Sequence, residues 1–186
     1  MVSFVLKKGL DLPVRGAPEQ RVDPMRAPAS VAVLGDDYVG LKPRLLVGEG
    51  DRVARGQALF CDKDAPEILF TAPASGRVRA INRGARRVLQ SVVIDVDAPD
   101  DPGVDFGAAD PGSVGRDALA EKLAASGLWT GFRTRPYSRV PAADAVPAAI
   151  FVTATDTEPL CPHPAVVIAD AAADFTGGLT ALRHLT

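Results

Sequence analysis

The sequence predicts an α+β protein in which an all-β sandwich of two small sheets is followed by the beginning of an α/β domain. The sandwich is predicted by the phrases GDRVARGQ (residues 50–57) and TAPASGRV (71–78), which are turn signals between short runs of β-branched and aliphatic residues. The α/β domain is predicted by the apolar run AAIFVT (148–153), typical of a buried parallel strand, and by leucines at helical spacing in residues 173–185.

These signals divide the chain into three predicted regions. Residues 1–100 form the sandwich, residues 101–145 hold a linker, a helix and a segment of arginines and aromatics, and residues 146–186 begin an incomplete α/β, Rossmann-like domain. The linker is predicted because residues 97–112 contain five aspartates, three prolines and three glycines. A helix is expected over residues 117–126, with Gly127 placed to end it.

Single elements are also expected at the start of the chain. Residues 4–9 and 31–34 are predicted strands, residues 14–30 an irregular loop, and residues 166–169 either a short strand or the lead-in to the last helix.

The two turn phrases resemble the barrel-sandwich hybrid fold of biotinyl and lipoyl carrier domains. Those domains carry their modified lysine at a hairpin tip, a few residues before the Ala-Pro turn. Here the nearest lysine, Lys63, is two residues too early, and Pro66 stiffens the tip. We therefore expect an unmodified scaffold, and keep a carrier domain as the alternative.

Composition excludes several classes of function. A net charge of −2 argues against nucleic acid as a partner. Cys61 and Cys161 have no metal-binding spacing, and His163 and His184 complete no ligand set, so we predict no metal site. No serine, cysteine or histidine stands in a catalytic context, so no catalytic residue is predicted. We also expect no signal peptide and no apolar stretch approaching the ~20 residues of a membrane span.

Two segments are candidate sites. The first is the arginine–aromatic segment (residues 129–139), which we predict to contact a partner or quinone, because Trp, Tyr and Arg carry many interfaces. Its candidate residues are Trp129, Phe132, Arg133, Arg135, Tyr137 and Arg139. The alternative is that Trp129 and Phe132 anchor the helix end in the core while the arginines are solvated.

The second candidate is the loop after the predicted buried strand, with Thr153, Thr155 and Asp156. Ligands of open α/β sheets bind beyond the carboxyl ends of strands, and these oxygens could hold a polar head group. The alternative is simple capping of the loop. A basic run at Arg83, Arg86 and Arg87 could contact an acidic partner subunit or lipid head groups. The alternative is that these arginines simply lie on a solvated face.

Eight runs in order resemble the A-subunit family of the sodium-translocating NADH:quinone reductases. The runs are KKGLDLP, GAPEQ, DDYVGLKP, EGDRVARGQALF, FTAPASGRV, INRGARRVLQSVVI, SGLWTGFRTRPYSRVPAAD and AIFVTATDTEPL. The resemblance implies a cofactor-free subunit, non-catalytic on its own and peripheral to the cytoplasmic face of the bacterial inner membrane. Its partners would be the other subunits of a complex that uses NADH, flavins, iron–sulfur and ubiquinone.

The same resemblance implies that this chain is an N-terminal fragment, and it leaves open whether ubiquinone binds here. Membership of a related ferredoxin:NAD electron-transport complex is a further alternative. The corresponding proteins of such complexes carry iron–sulfur cysteines and a glycine-rich nucleotide loop, which this sequence lacks.

Overall fold

The structure, a computed structural model, describes residue 5 and residues 12–24, 26–156 and 158–186. The predicted first strand at residues 4–9 lies, apart from residue 5, outside the described residues. Residues 14–24 and 26–29 contain no helix or strand, as expected for a loop.

Among the described residues, seven strands form two antiparallel sheets, which confirms the predicted sandwich. The larger sheet has the order β1-β7-β6-β3 and the smaller one the order β2-β4-β5. The segments 53–60 and 88–94 contain strand and turn residues and no helix, and a helix there would have contradicted the prediction. The strands are β1 (Ser30–Leu34), β2 (Pro43–Leu45), β3 (Arg52–Val53), β4 (Ala58–Asp62), β5 (Leu69–Thr71), β6 (Gly76–Arg83) and β7 (Leu89–Val96).

The first turn phrase folds as its chemistry suggests. Gly50 and Gly56 have φ of +88° and +84°, a region that favours glycine because it lacks a Cβ. The Asp51 carboxylate accepts a hydrogen bond from the Gly48 amide at 2.7 Å, and the Gln57 side chain accepts one from the Ala54 amide at 3.0 Å. Local hydrogen bonds of this kind close the turns on both sides of β3.

The two sheets enclose a single apolar core. Phe60 and Phe70 stack at its centre with ring centroids 4.7 Å apart, and Tyr38 meets Phe70 edge-on at 4.6 Å. Burial of these side chains is the main source of stability for a domain of this size. Members of the core that are at most 3% exposed in the sandwich are Val53, Leu59, Phe60, Ile68, Phe70, Ala72, Val78, Leu89, Val92 and Ile94.

The helix α1 (Arg116–Ser126) extends this core. It ends at Gly127, whose φ of +82° makes it the left-handed cap that the sequence predicts. Leu119, Ala120 and Ala124 are buried in the same cluster as the sandwich residues. The hydroxyl of Thr71 in β5 donates a hydrogen bond to the Ser126 carbonyl at 3.1 Å, so the sandwich itself caps the helix.

The predicted linker is ordered by contacts at both ends. The Val104 amide donates to the Arg55 carbonyl at 2.8 Å, next to the turn between β3 and β4. The Lys122 ammonium of α1 donates to the carbonyls of Phe106 and Gly107 at 2.6 and 2.7 Å. The acidic stretch is thus held between the sandwich and the helix.

The predicted buried strand at residues 148–153 is wrong for this structure. These residues form no strand, and Phe151 is 90% exposed. A strand needs a neighbour to pair its backbone N–H and C=O groups, and no strand follows Val96 in the described part of the chain. The segment is apolar, as its sequence shows, but in the described part of the chain no neighbouring strand is available to pair with it.

The chain continues through two helices, α2 (Pro164–Ile168) and α3 (Ala172–Leu182). The helix predicted at residues 173–185 is confirmed, since the turn Arg183–Leu185 follows α3 directly, whereas a strand at residues 166–169 is wrong. The run Pro164–Leu185 is also long and apolar enough to cross a membrane, contrary to our expectation. Leu185 is nevertheless only 2% exposed, within the core cluster that contains α1.

We predict that Gly127→Ala destabilises the protein strongly. A Cβ at this position would lie 2.4 Å from the Thr71 hydroxyl, and the left-handed backbone adds about 1–2 kcal/mol for any other residue. Gly131→Ala is the matched control, because no atom lies within 4 Å of its Cβ position and its φ is not positive. Urea denaturation should show a loss of at least ~2 kcal/mol for the first variant. Equal effects of the two variants would contradict the role given to Gly127.

Candidate functional site

The arginine–aromatic segment begins with a buried anchor. Directly after Gly127, the turn Leu128–Gly131 carries Trp129 into the core, where it is 3% exposed. Its indole N–H donates to the Pro141 carbonyl at 2.9 Å, and its ring meets Phe132 edge-on at 5.2 Å. Trp129 and the half-buried Phe132 are therefore packing residues, as the alternative interpretation of the segment held for these two positions.

Arg133 belongs to the anchor as well. Its guanidinium lies 5.2 Å from the centre of the Tyr38 ring, within cation–π range. It also donates to the carbonyl of Thr130, to that of Phe132 at 2.9 Å and to that of Asp37 at 3.3 Å. Because Tyr38 rests on Phe70, this arginine is joined through aromatic contacts to the centre of the sandwich.

The rest of the segment forms an exposed tip. The Thr134 amide donates to the Arg139 carbonyl and the Ser138 amide to the Thr134 carbonyl, both at 2.8 Å, which closes residues 134–139 into a tight loop. Arg135 and Tyr137 project from this loop, and Tyr137 is 75% exposed. An exposed aromatic ring and an exposed guanidinium, on a loop held at its base, form a surface suited to binding a protein partner.

Arg139 lies at the side of this tip. Its guanidinium is 3.6 Å from the position that a Cβ would occupy at Gly40, which has φ of +82°. Glycine at that position leaves room for the arginine against the loop that precedes β2. The structure thus separates the six candidate residues into a base of three and a tip of three. The base holds the buried Trp129, the half-buried Phe132 and Arg133, which is exposed but fixed by its contacts; the tip holds the exposed Arg135, Tyr137 and Arg139.

The second candidate, the loop with Thr153, Thr155 and Asp156, does not follow a strand. The Asp156 carboxylate accepts a hydrogen bond from the Glu158 amide at 3.0 Å, which is loop capping. Thr153 is exposed, and the buried Thr155 hydroxyl has no hydrogen-bond partner among the described residues. Among the described residues, no hydrogen bond joins the side chains of Thr153, Thr155 and Asp156 to one another.

Asp156 instead lines an apolar groove between residues 16–20 and 156–166. The groove has a volume of about 610 Å³; half of the residues that line it are Ala, Pro, Leu or Val, and Gln20, Asp156, Glu158 and His163 supply polar groups at its wall. Its two sides are joined by a hydrogen bond of 3.0 Å from the His163 amide to the Gln20 side-chain oxygen. The His163 ring accepts from the Ala165 amide through Nδ1, which caps α2 and places the proton of the neutral ring on Nε2.

Sequence reasoning missed part of a second, cationic groove. It grouped Arg83, Arg86 and Arg87 but not Lys42 and Lys63, which line the same groove. The pairing of β2 with β4 brings the two lysines together, since Pro43 opposes Asp62. A prediction of that pairing is the signal that would have found them.

Metal binding has no support in the side chains. Within the described ranges, no group of three His, Cys, Asp or Glu residues is placed to hold a metal ion. Cys61 is buried in β4 and Cys161 lies in the loop before α2, both as free thiols.

Comparison with known families decides the relationship of this chain. Residues 4–97 match the model described as the NqrA N-terminal barrel-sandwich hybrid domain. Residues 114–186 match the NqrA second alpha/beta domain.

The chain belongs to the NqrA family.

Curated relatives agree with this assignment to the NqrA family. The chain is 52% identical over 183 residues to the A-subunit of the Na(+)-translocating NADH-quinone reductase of Mannheimia succiniciproducens. It is 53% identical over 185 residues to that of Actinobacillus succinogenes, and 52% over 182 residues to that of Klebsiella pneumoniae. The matches cover 97–98% of this chain but 41% of each relative.

The region boundaries that we predict after residues 100 and 145 stay predictions.

We predict a large loss of stability for a change at one arginine of the segment and almost none for the same change at another. Arg133→Glu removes the contact with Tyr38 and places a carboxylate against three carbonyl oxygens, so it should lower stability by ~1–2 kcal/mol and the melting temperature by several degrees. Arg135→Glu makes the same change of charge on the exposed tip and should alter stability by less than ~0.5 kcal/mol. Thermal unfolding of the two variants measures the difference, and equal losses would contradict the division into base and tip.

Proposed function

We propose that this NqrA-family chain is a non-catalytic, peripheral part of a sodium-translocating NADH:quinone reductase, on the cytoplasmic face of the bacterial inner membrane. In this role it binds neighbouring subunits and carries no resident cofactor. The observation that supports the proposal is the match of both family models, together covering most of the chain. The names of the relatives supply the reaction, the oxidation of NADH by quinone coupled to sodium transport.

The docking surface in this proposal is the exposed tip of the arginine–aromatic segment. Its Tyr137 offers a rigid apolar contact, and Arg135 and Arg139 offer charged groups at the edge, which matches an interface with an apolar centre and a polar rim. The tip is closed by its own backbone hydrogen bonds and is fixed to the core through Trp129. A prearranged loop loses little conformational freedom when it binds.

Quinone contact is the second part of the proposal, and it falls on the apolar groove rather than on the arginine–aromatic segment. A quinone ring needs an apolar slot and a hydrogen-bond donor for its carbonyl oxygen. The groove offers both, since its walls are mostly apolar and the Nε2–H of His163 is left to donate. Trp129, which is buried, has no surface to offer a quinone.

We expect the combined change Arg135→Glu and Tyr137→Ala to weaken assembly of the complex. Both side chains are exposed, so the isolated chain should keep its melting temperature while its co-purification with the other subunits falls about tenfold. The control is Arg26→Glu with Val22→Ala, which makes the same charge change and shortens an exposed apolar side chain on the N-terminal loop. Assembly of the tip variant at the level of the control would remove this docking surface.

The purified chain is expected to bind ubiquinone reversibly and to carry no bound group. Titration with a short-chain ubiquinone should shift the amide NMR signals of Gln20 and His163 before those of Arg135 and Tyr137. The protein should be colourless, with an intact mass equal to that of its sequence. A visible band that survives desalting, or a biotinyl or lipoyl mass on Lys63, would instead favour a cofactor-bearing carrier.

A further inference from the structure

A groove with an unusual concentration of positive charge lies on the sandwich at the end of the β6–β7 hairpin. It has a volume of about 420 Å³ and is lined by Lys42, Pro43, Lys63, Arg83, Arg86 and Arg87. Five of these six residues are cations, although the chain as a whole has a net charge of −2. The charge is therefore concentrated in this groove and is not a property of the whole surface.

Three separate segments build the groove. The Lys63 amide donates to the Lys42 carbonyl at 2.9 Å, which places the two lysines side by side where β2 and β4 pair. The three arginines come from the hairpin, where the Arg83 guanidinium donates to the Arg87 carbonyl at 3.0 Å. Folding is thus required to bring these like charges together, against their mutual repulsion.

Most of this charge has no internal partner. Elsewhere on the larger sheet arginines pair with carboxylates, as in Arg79–Asp95 at 3.0 Å and Arg52–Asp97 at 2.8 Å. In the groove only Lys42 has such a partner, Asp64 at 2.7 Å. The other four cations take part in no ion pair with any described residue.

The backbone at the hairpin tip is strained in a way that presents these side chains. Arg86 and Arg87 have φ of +55° and +61°, a region that residues with a Cβ rarely occupy. A hydrogen bond of 2.8 Å from the Gly84 amide to the Val88 carbonyl closes the tip around them. Strain of this kind concentrates at sites of ligand binding.

We propose that this cationic groove binds phosphate groups. Guanidinium and ammonium groups together form the side-chain set that best matches phosphate oxygens, through paired N–H donors and a point charge respectively. The phosphate has two sources, the headgroup of an anionic phospholipid and a soluble phosphate compound. Val88, 53% exposed beside Arg87, gives the lipid source an additional apolar contact.

The positive surface extends toward the arginine–aromatic segment. The Arg139 guanidinium lies 3.6 Å from the Cβ position of Gly40, two residues before Lys42, so its charge adds to the field at this edge of the groove. Asp64, and more weakly Asp62, raise the pKa of Lys42, and Arg139 opposes that rise. A phosphate group seated there would lie beside the exposed tip, so headgroup binding and subunit docking would use neighbouring surfaces.

Binding of the full chain to vesicles and to pyrophosphate tests the proposal. Vesicles of phosphatidylcholine with phosphatidylglycerol should sediment the protein at low salt, and vesicles of phosphatidylcholine alone should not. Lys63→Glu with Arg86→Glu should weaken this binding about tenfold or more, since each basic residue near an anionic surface adds measurably to affinity. The control Arg15→Glu with Arg26→Glu changes the charge equally outside the groove and should weaken binding less than twofold.

The two arms separate the sources of phosphate. Vesicle binding without pyrophosphate binding by calorimetry assigns the groove to a lipid headgroup, and binding of both assigns it to phosphate in general. Equal weakening in the control variant, the absence of binding in both arms, or tighter binding of polyglutamate than of either phosphate ligand would overturn the proposal. If the glutamate variant fails to fold, Lys63→Gln with Arg86→Asn replaces it, because asparagine tolerates the left-handed backbone at residue 86.

Discussion

The position of everything beyond the sandwich depends on the close approach of Gly127 to Thr71. Only a residue without a Cβ fits between the end of α1 and strand β5, and only there does the threonine hydroxyl reach the last helical carbonyl. The left-handed turn at Gly127 then directs Trp129 back into the core. This contact caps the helix, whose apolar residues Leu119, Ala120 and Ala124 pack into the core, and it sets the direction in which the arginine–aromatic segment continues.

Local chemistry explains which parts of the fold were predictable from sequence. The turns at Gly50 and Gly56 and the cap at Gly127 depend on residues next to each other, so their signals are readable in the chain. The segment 148–153 shows the limit of that reasoning, because a strand is defined by its neighbour. Lys42 and Lys63 show the same limit for a site, since strand pairing and not sequence distance places them together.

The arginines of the segment make this limit specific. Arg133 and Arg135 stand two positions apart between aromatic residues, and nothing in the sequence separates their roles. Tyr38, which is 95 positions before Arg133, decides the difference, because its ring lies under one guanidinium and leaves the other free. The packing interpretation therefore holds for the base of the segment (residues 129–133), and the interface interpretation is left for its exposed tip (residues 134–139).

The acidic stretch between the sandwich and α1 has the composition of a flexible linker, but hydrogen bonds at the sandwich and at the helix hold it in place. Its backbone carbonyls at Phe106 and Gly107 hold the Lys122 ammonium, and its Val104 amide is held by Arg55. The aspartates of the stretch add local bonds of their own, since the Asp101, Asp105 and Asp110 carboxylates accept hydrogen bonds from the amides of Gly103, Gly107 and Gly112. The length of the stretch is therefore constrained, because one inserted or deleted residue would move the two carbonyls away from the lysine and remove a tie between the sandwich and α1.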